Sequence, residues 1–275
     1  MRFFLFINVT LLLFFSIISP LHINGSPGKS CTECRKDQVI AFFKFILKIP
    51  QTKRKRTGTC ITITFYINGS ATLFVPELDE HYHSVKGART ESQHIFINMG
   101  LKASAAPQPH VLEIGFGTGL NALLTLEAAE QDARPVHYTG IELYPLAWEE
   151  VDALGYSNNP LFKQLHTAPW EEDVKISPHF TLRKIKMDAI SDKWLSLNPD
   201  LVYFDAFAPE KQPEMWNEQL FRSLYVYMNT GGILTTYCAK GVIRRMLQAV
   251  GFRVERLPGP PGGKREILRA TKEKP

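Results

Sequence analysis

The stretch Val111-Leu112-Glu113-Ile114-Gly115-Phe116-Gly117-Thr118-Gly119-Leu120-Asn121 decides how this chain folds. An apolar strand runs into three glycines and then into a helical run, so backbone can approach a ligand closely while a helix N-terminus faces it. A dinucleotide fingerprint spaces its glycines GxGxxG. Here they fall GxGxG, with Glu113 two positions before the first. A tight strand-to-helix turn that holds no ligand also uses glycines, so the stretch needs support from the rest of the chain.

Downstream of Val111, short apolar runs alternate with longer helical patterns, the rhythm of a parallel sheet with crossover helices. Strands are expected near residues 110–114, 136–142, 181–186, 200–205, 231–237, 252–257 and 265–270. The last two are separated only by the Pro/Gly stretch from Pro258 to Gly263, which leaves no room for a helix, so they should pair as an antiparallel hairpin. Upstream, ITITFYINGSATLFV (residues 61–75) places β-branched and aromatic runs around Asn68-Gly69, a strong hairpin signal. A His- and Glu-bearing segment follows, then an apolar helical stretch ending at Gly100.

Ligands of open parallel sheets bind beyond the carboxyl ends of the strands. Acidic residues are expected at four of those ends: Glu113, Glu142 after VHYTGI, Asp188 in KMDA, and Asp205 in LVYFDAFAP. One such residue is commonly a solvated carboxylate or a helix cap. Four in register point to a ligand site. Glu142 is placed to accept both hydroxyls of a ribose, and Asp188 to take an exocyclic amine. Asp205 differs in kind, because its strand runs to the switch region of the sheet. A carboxylate there can orient an amine and receive its proton. Phe207 and Pro209 are expected to wall the acceptor pocket.

The composition is that of an ordinary globular protein, 44% hydrophobic and 21% charged, and nothing after residue 60 has the apolar length of a membrane span. The net charge of +5 is unevenly spread. Residues 1–60 carry 10 basic and 2 acidic side chains, residues 61–239 carry 12 and 22, and residues 240–275 carry 10 and 3. A basic C-terminal edge on an acidic body is what a phosphate-facing surface looks like, and a solvated basic tail gives the same count. Cys31, Cys34, Cys60 and Cys238 lack the second ligand pair that zinc needs and are expected to be free thiols.

Arg2 followed by the apolar run Phe3 to Ile18 has the form of a signal peptide, and Lys53-Arg54-Lys55-Arg56 that of a linker. The sequence divides accordingly into an apolar and basic extension, residues 1–58, signal-like or from a misassigned start, and a domain over residues 59–275. No Met lies between Met1 and Met99, so a later start would need another codon.

The GxGxG spacing after an acidic residue resembles the cofactor motif of S-adenosyl-L-methionine-dependent methyltransferases. The strings LEIGFGTGLN, YFDAFAPEKQPEMW, YCAKGVIRRML and PGPPGGKREILRA, with the opening VPELDEHYHSVKGARTESQHIFINMGL, resemble more narrowly the MnmD/MnmC-like methyltransferases of the tRNA wobble uridine. The resemblance covers roughly residues 61–272. It implies an α/β class I, Rossmann-like sheet with a C-terminal antiparallel hairpin and a small N-terminal β-hairpin. It implies S-adenosyl-L-methionine as methyl donor, held by Glu113, Gly115, Gly117, Gly119, Asn121, Glu142 and Asp188, with Asp205 as the catalytic carboxylate. The acceptor it implies is the aminomethyl nitrogen of 5-aminomethyl(-2-thio)uridine at tRNA position 34.

The same resemblance assigns the basic edge a partner, the tRNA anticodon stem-loop, with Lys240, Arg244, Arg245, Lys264 and Arg265 as candidate phosphate contacts. Relatives with two activities carry a flavin-dependent oxidase domain, and no second Gly-rich nucleotide motif is expected here. No metal, no stable membrane association and a cytoplasmic location are expected. His81, His83 and His94 are expected to hydrogen-bond or pack. Three rival readings stay open: an aminopropyl or small-molecule amine transferase, a nicotinamide-dependent oxidoreductase, and a secreted inactive binding protein.

Overall fold

A parallel sheet requires crossovers, and the helical stretches between the apolar runs supply them. The computed structural model describes residues 62–65, 71–76, 78–82, 87–191, 196–262 and 265–273. Near the N-terminus β1 (Thr62–Phe65), β2 (Ala71–Val75) and β3 (Glu80–His81) form a three-stranded antiparallel sheet. Strands β1 and β2 pair antiparallel from Thr62 opposite Phe74 to Phe65 opposite Ala71, a register centred on position 68. The turn itself lies outside the described residues, as does the whole extension over residues 1–58.

The second sheet is built from β4 (His110–Ile114), β5 (Val136–Glu142), β6 (Asp173–Ser177), β7 (Phe180–Lys186), β8 (Leu201–Phe204), β9 (Ile233–Thr236), β10 (Arg253–Pro258) and β11 (Glu266–Thr271). Its order is β10-β11-β9-β8-β4-β5-β7-β6. Strands β7, β5, β4, β8 and β9 are parallel, while β11 joins β9 antiparallel and carries β10 in the expected hairpin. The chain winds outward from β4 through β5 to β7, then returns to β8 on the other side of β4. The switch point therefore lies between β4 and β8.

Alternate residues of the buried strands feed opposite faces. Val111, Tyr138, Leu182 and Tyr203 pack on one face, under α2 (Leu120–Gln131), α3 (Trp148–Asp152), α4 (Pro160–Thr167) and the π-helical turn Gln93–Asn98 that continues α1 (Ala88–Ser92). Leu112, Ile114, Val202, Phe204 and Leu268 pack on the other, under α5 (Glu218–Tyr227) and α6 (Gly241–Ala249). Nine of the twelve residues of α2 are buried, which is why this helix shows no polar stripe. Asn159 and Asn217 cap α4 and α5, accepting from the backbone N–H of Leu161 at 3.0 Å and of Leu220 at 2.9 Å.

Two elements differ from expectation. Strand β6 was not expected: its five residues alternate in exposure at the sheet edge and pair antiparallel with β7, too short a pattern to stand out beside the α4 helix. The N-terminal hairpin gains β3, whose two residues pair with Phe74 and Val75 and carry almost no periodic signal of their own.

Candidate active site

All four acidic residues gather at the carboxyl edge of neighbouring parallel strands. Glu113 is the penultimate residue of β4, Glu142 the last of β5, Asp205 directly follows β8, and Asp188 lies two residues beyond β7. Between them the glycine turn is forced by sterics. Gly115, Gly117 and Gly119 have φ of 91°, 50° and 68°, where side-chain-bearing residues are strained. A Cβ on Gly115 would lie 3.1 Å from the Asp205 carbonyl oxygen, and one on Gly117 3.1 Å from the Tyr82 ring. A Cβ on Gly119 would lie 2.7 Å from His166 Nε2. Gly119 also opens α2 with no side-chain cap, so the N-terminus of a twelve-residue helix faces the carboxylates.

The carboxylates sit in different surroundings. Glu113 is 1% exposed, and burial holds its carboxyl well above the usual range, partly offset by the polar hydrogens of Tyr138 and Asn121. Asn121 Nδ2 donates to Glu113 Oε1 at 2.8 Å and to Asp205 Oδ2 at 2.8 Å, so one amide ties the two carboxylates across the switch point. Glu142 accepts from the backbone N–H of Gly117 at 2.9 Å and of Tyr144 at 2.8 Å, and burial raises its carboxyl above the ordinary value. Asp188 is exposed, with Oδ1 accepting from the Ile190 N–H at 3.0 Å. Two of the four, Glu142 and Asp188, thus turn oxygens to backbone N–H groups of the loops at this edge, while Glu113 and Asp205 share the Asn121 amide. Glu113 and Asn121 leave the buried acceptors Oε2 and Oδ1 without a protein hydrogen bond.

Aromatic side chains pack about the loop that follows Asp205. The Phe207 ring stands edge-on to Tyr82 with centroids 5.1 Å apart, and the Trp216 indole donates to the Phe207 carbonyl at 2.7 Å. The Tyr237 hydroxyl donates to the Ala206 carbonyl at 2.9 Å; burial raises that phenol, with the Asp205 charge adding to the effect. Pro209 is half-buried in the same loop. Tyr82, Tyr237 and His166 were not singled out in the sequence. Tyr82 reaches the glycine turn from the segment just after β3, and only the tertiary fold brings it there.

His166 is the least expected neighbour. Its Nε2 lies 2.9 Å from the Thr118 carbonyl oxygen, and burial lowers the imidazole to about 4, so the ring is neutral and its Nε2–H donates to the turn. Below it Lys184, 1% exposed, donates from Nζ to the His166 carbonyl at 2.6 Å and stands 4.8 Å over the Trp170 ring. Burial depresses this ammonium to about 8. The ammonium thereby closes the last turn of α4, and α4 in turn holds the glycine turn.

The basic residues are more scattered. Lys240 pairs with Glu210, and Lys211 with Asp79 at 3.1 Å. Arg245 and Arg265 are exposed, Arg244 is half-buried on α6, and Lys264 lies outside the described residues. His94 Nε2 lies 2.8 Å from the Pro258 carbonyl and His81 packs on Phe74 at 4.8 Å, while His83 lies outside the described residues. Cys238 is buried; the other three cysteines lie outside the described residues. Among the described residues, no helix is long and apolar enough to cross a membrane.

Comparison with known proteins agrees with this geometry. Residues 159–273 match a family described as S-adenosyl-L-methionine-dependent methyltransferase. The match includes Asp188, Asp205 and the C-terminal hairpin and begins after the glycine turn. The bifunctional tRNA 5-methylaminomethyl-2-thiouridine biosynthesis protein MnmC of Cupriavidus metallidurans is 31% identical over 223 residues, covering 73% of this chain and 32% of that protein. MnmC of Magnetococcus marinus is 34% identical over 224 residues, covering 74% and 33%. The chain therefore spans about a third of the length of the curated relatives it matches. The crystal structure of MNMC2 from Aquifex aeolicus superposes with a TM-score of 0.60 at 21% identity, covering 88% of this chain and 85% of that one. The fold is accordingly that of class I methyltransferases.

Proposed function

We propose, from the premise that this chain is an MnmC-like S-adenosyl-L-methionine-dependent methyltransferase, that it N-methylates the 5-aminomethyl group of a wobble uridine, thiolated or not at position 2, in tRNA. The observation that carries the reading is Asp205: a carboxylate at the switch point, bonded to Asn121 and with its backbone beside Gly115 of the glycine turn, followed by a loop that carries the Tyr82–Phe207 ring pair and the Tyr237 hydroxyl. The residues that would hold the methyl donor line the carboxyl edge: Gly115, Gly117 and Gly119 would leave its methionine end room, Glu113 would offer its buried Oε2, Glu142 would accept from the ribose and Asp188 from the adenine amine. When bound, it supplies an electrophilic methyl group.

The rest is work for the chain. An alkylamine is protonated at neutral pH and must lose a proton before its lone pair can attack. Asp205 orients that amine and takes the proton, directly or through water. Phe207 and Pro209 flank the uracil, and the aromatic wall keeps competing water from the acceptor. Because methyl transfer needs an in-line nucleophile, orientation matters as much as the proton. Lys240, Lys264 and Arg265, with Arg244 and Arg245, steer the anticodon stem-loop by its phosphates. Lys240 leaves Glu210 for a phosphate when RNA arrives.

The test is transfer of label from S-adenosyl-L-methionine to tRNA bearing 5-aminomethyluridine, with the Asp205→Ala variant beside the wild type. Label at the wobble position, lost in the variant, is the expected result. Cofactor binding without label in that tRNA refutes the substrate, and transfer to free small amines instead establishes the amine-transferase reading.

A further inference from the structure

The Asn121 amide stands where a cofactor ligand would be sought, at the first turn of α2 and 3% exposed. Its hydrogen bonds say otherwise. A primary amide nitrogen has two hydrogens. Both acceptors within reach of Nδ2 are carboxylate oxygens, Glu113 Oε1 and Asp205 Oδ2, each at 2.8 Å. With the nitrogen at this end, one hydrogen goes to each carboxylate, the arrangement that satisfies both acceptors at once. No N–H is left for a third partner.

We propose that Asn121 is a positioning residue for Asp205: it anchors that carboxylate to the buried Glu113 across the switch point instead of binding the cofactor through its amide N–H groups. Strand β4 brings Glu113, the first turn of α2 brings Asn121, and the end of β8 brings Asp205, so three separate elements close one hydrogen-bonded bridge. A second bond sets α2 itself: the Thr125 hydroxyl donates to the Asn121 carbonyl at 2.7 Å and lies 3.3 Å from the Tyr203 hydroxyl, beneath the bridge. With one Asp205 oxygen held, the carboxylate has a single orientation before any acceptor arrives, and none need be selected at the moment of reaction. The inference rests on the reading of Asp205 as the acceptor-facing carboxylate.

The first measurement does not depend on which acceptor is used. Carbon-13 NMR of the full chain labelled at aspartate carboxyls follows Asp205, assigned by loss of its signal in Asp205→Asn. The titratable groups that feel its charge are Glu113 on β4, Tyr138 on β5 and Tyr237 beyond β9; burial keeps both phenols protonated through the neutral range. An N–H donated to a carboxylate favours its ionised form, so Asn121→Ala should move the Asp205 midpoint up by about half a unit or more. In the wild type, which needs no substitution of Asn121, one asparagine side-chain amide pair should shift over the same pH range as the Asp205 carboxyl.

Kinetics then separate positioning from binding. Asn121→Ala should lower kcat roughly 10- to 100-fold while the Kd for S-adenosyl-L-methionine stays within about threefold, since a misplaced reacting group slows chemistry without weakening the ground state. A Kd weakened tenfold or more with the Asp205 midpoint unmoved overturns the inference. So does a wild-type spectrum in which no asparagine amide follows Asp205. If wild-type protein methylates no tested RNA, the proposed substrate fails and the two NMR readouts still decide on Asn121.

Discussion

Gly119→Ala puts the glycine turn under a load that can be worked from the structure. The residue sits at φ 68°, so any side chain incurs the left-handed penalty, about 1–2 kcal/mol. The new methyl would stand 2.7 Å from His166 Nε2 and 3.2 Å from the tip of the Phe116 ring. Since 2.7 Å is far inside contact distance, the imidazole must move. Its 2.9 Å bond to the Thr118 carbonyl then breaks, a further 0.5–1.5 kcal/mol or about that. Taken together the substitution should weaken the bound form of the turn by about 2–3 kcal/mol, or roughly 30- to 150-fold in Kd. Titration calorimetry with S-adenosyl-L-methionine reads this directly. Adding His166→Ala removes the clash and leaves the backbone penalty, so the double variant should bind more tightly than Gly119→Ala alone. A Gly119→Ala protein binding within about threefold of wild type refutes the claim that this turn holds the cofactor.

Other perturbations separate the remaining roles. Glu142→Gln keeps the shape but removes the charge that a ribose would meet, and should weaken cofactor binding about 10- to 100-fold by calorimetry. Because burial raises the Glu142 carboxyl, the wild-type affinity should already decline as pH falls through a midpoint above the ordinary carboxylate value, and Glu142→Gln should lack that limb. Lys184→Met tests the buried ammonium. Its folded value, about 8 against 10.5 unfolded, means the unfolded chain binds more protons between those values, so wild-type stability should rise with pH from about 8 toward 10.5. The variant should lose that slope and, at pH 7, gain about 1–2 kcal/mol in urea denaturation after subtraction of the lost bond to the His166 carbonyl. Glu210→Gln, which releases Lys240 from its ion pair, should tighten tRNA binding at low salt by a fewfold and steepen its salt dependence.

Much of this architecture was legible because it rests on strong local signals. Strand β4 and its turn are specified by Val111 to Gly119, where three glycines take positive φ. The Pro258 to Gly263 stretch forces the terminal hairpin, since no helix fits between β10 and β11. The acidic residues were found because parallel strands deliver their carboxyl ends to one edge. What stayed hidden was whatever only tertiary contact creates. His166 follows an ordinary amphipathic pattern in α4, and nothing local announces that its ring will pin the Thr118 carbonyl. Lys184 occupies an inward position of β7, where an apolar residue would be the natural choice. Asn121 is expected from its motif to meet the cofactor, and a sequence carries no information on which acceptors take its two hydrogens, here Glu113 Oε1 and Asp205 Oδ2.

The basic edge shows the same limit in electrostatic form. Residues 240–275 hold 10 basic and 3 acidic side chains, and that surplus suggested a single cationic surface. In the folded chain several members are already engaged: Lys240 with Glu210, Arg253 with Glu273 at 2.6 Å, Arg256 with Glu266 at 3.5 Å, and Arg269 with Glu255 at 3.2 Å. Apart from the half-buried Arg269–Glu255 pair, these are exposed pairs, each worth about 0–1 kcal/mol and screened by salt, so a phosphate can displace the carboxylate at small cost. The intramolecular acids then act as placeholders that fix where the cations wait. On the proposed function, net charge would set how strongly RNA is drawn in, and the pairing which cations are preset for it. Arg265, exposed beside Gly259 at the hairpin tip, is preset without an ion pair among the described residues, so its loss should weaken RNA binding more than the loss of Arg253. Equal effects of Arg265→Ala and Arg253→Ala on tRNA affinity would mean that the edge acts through total charge alone.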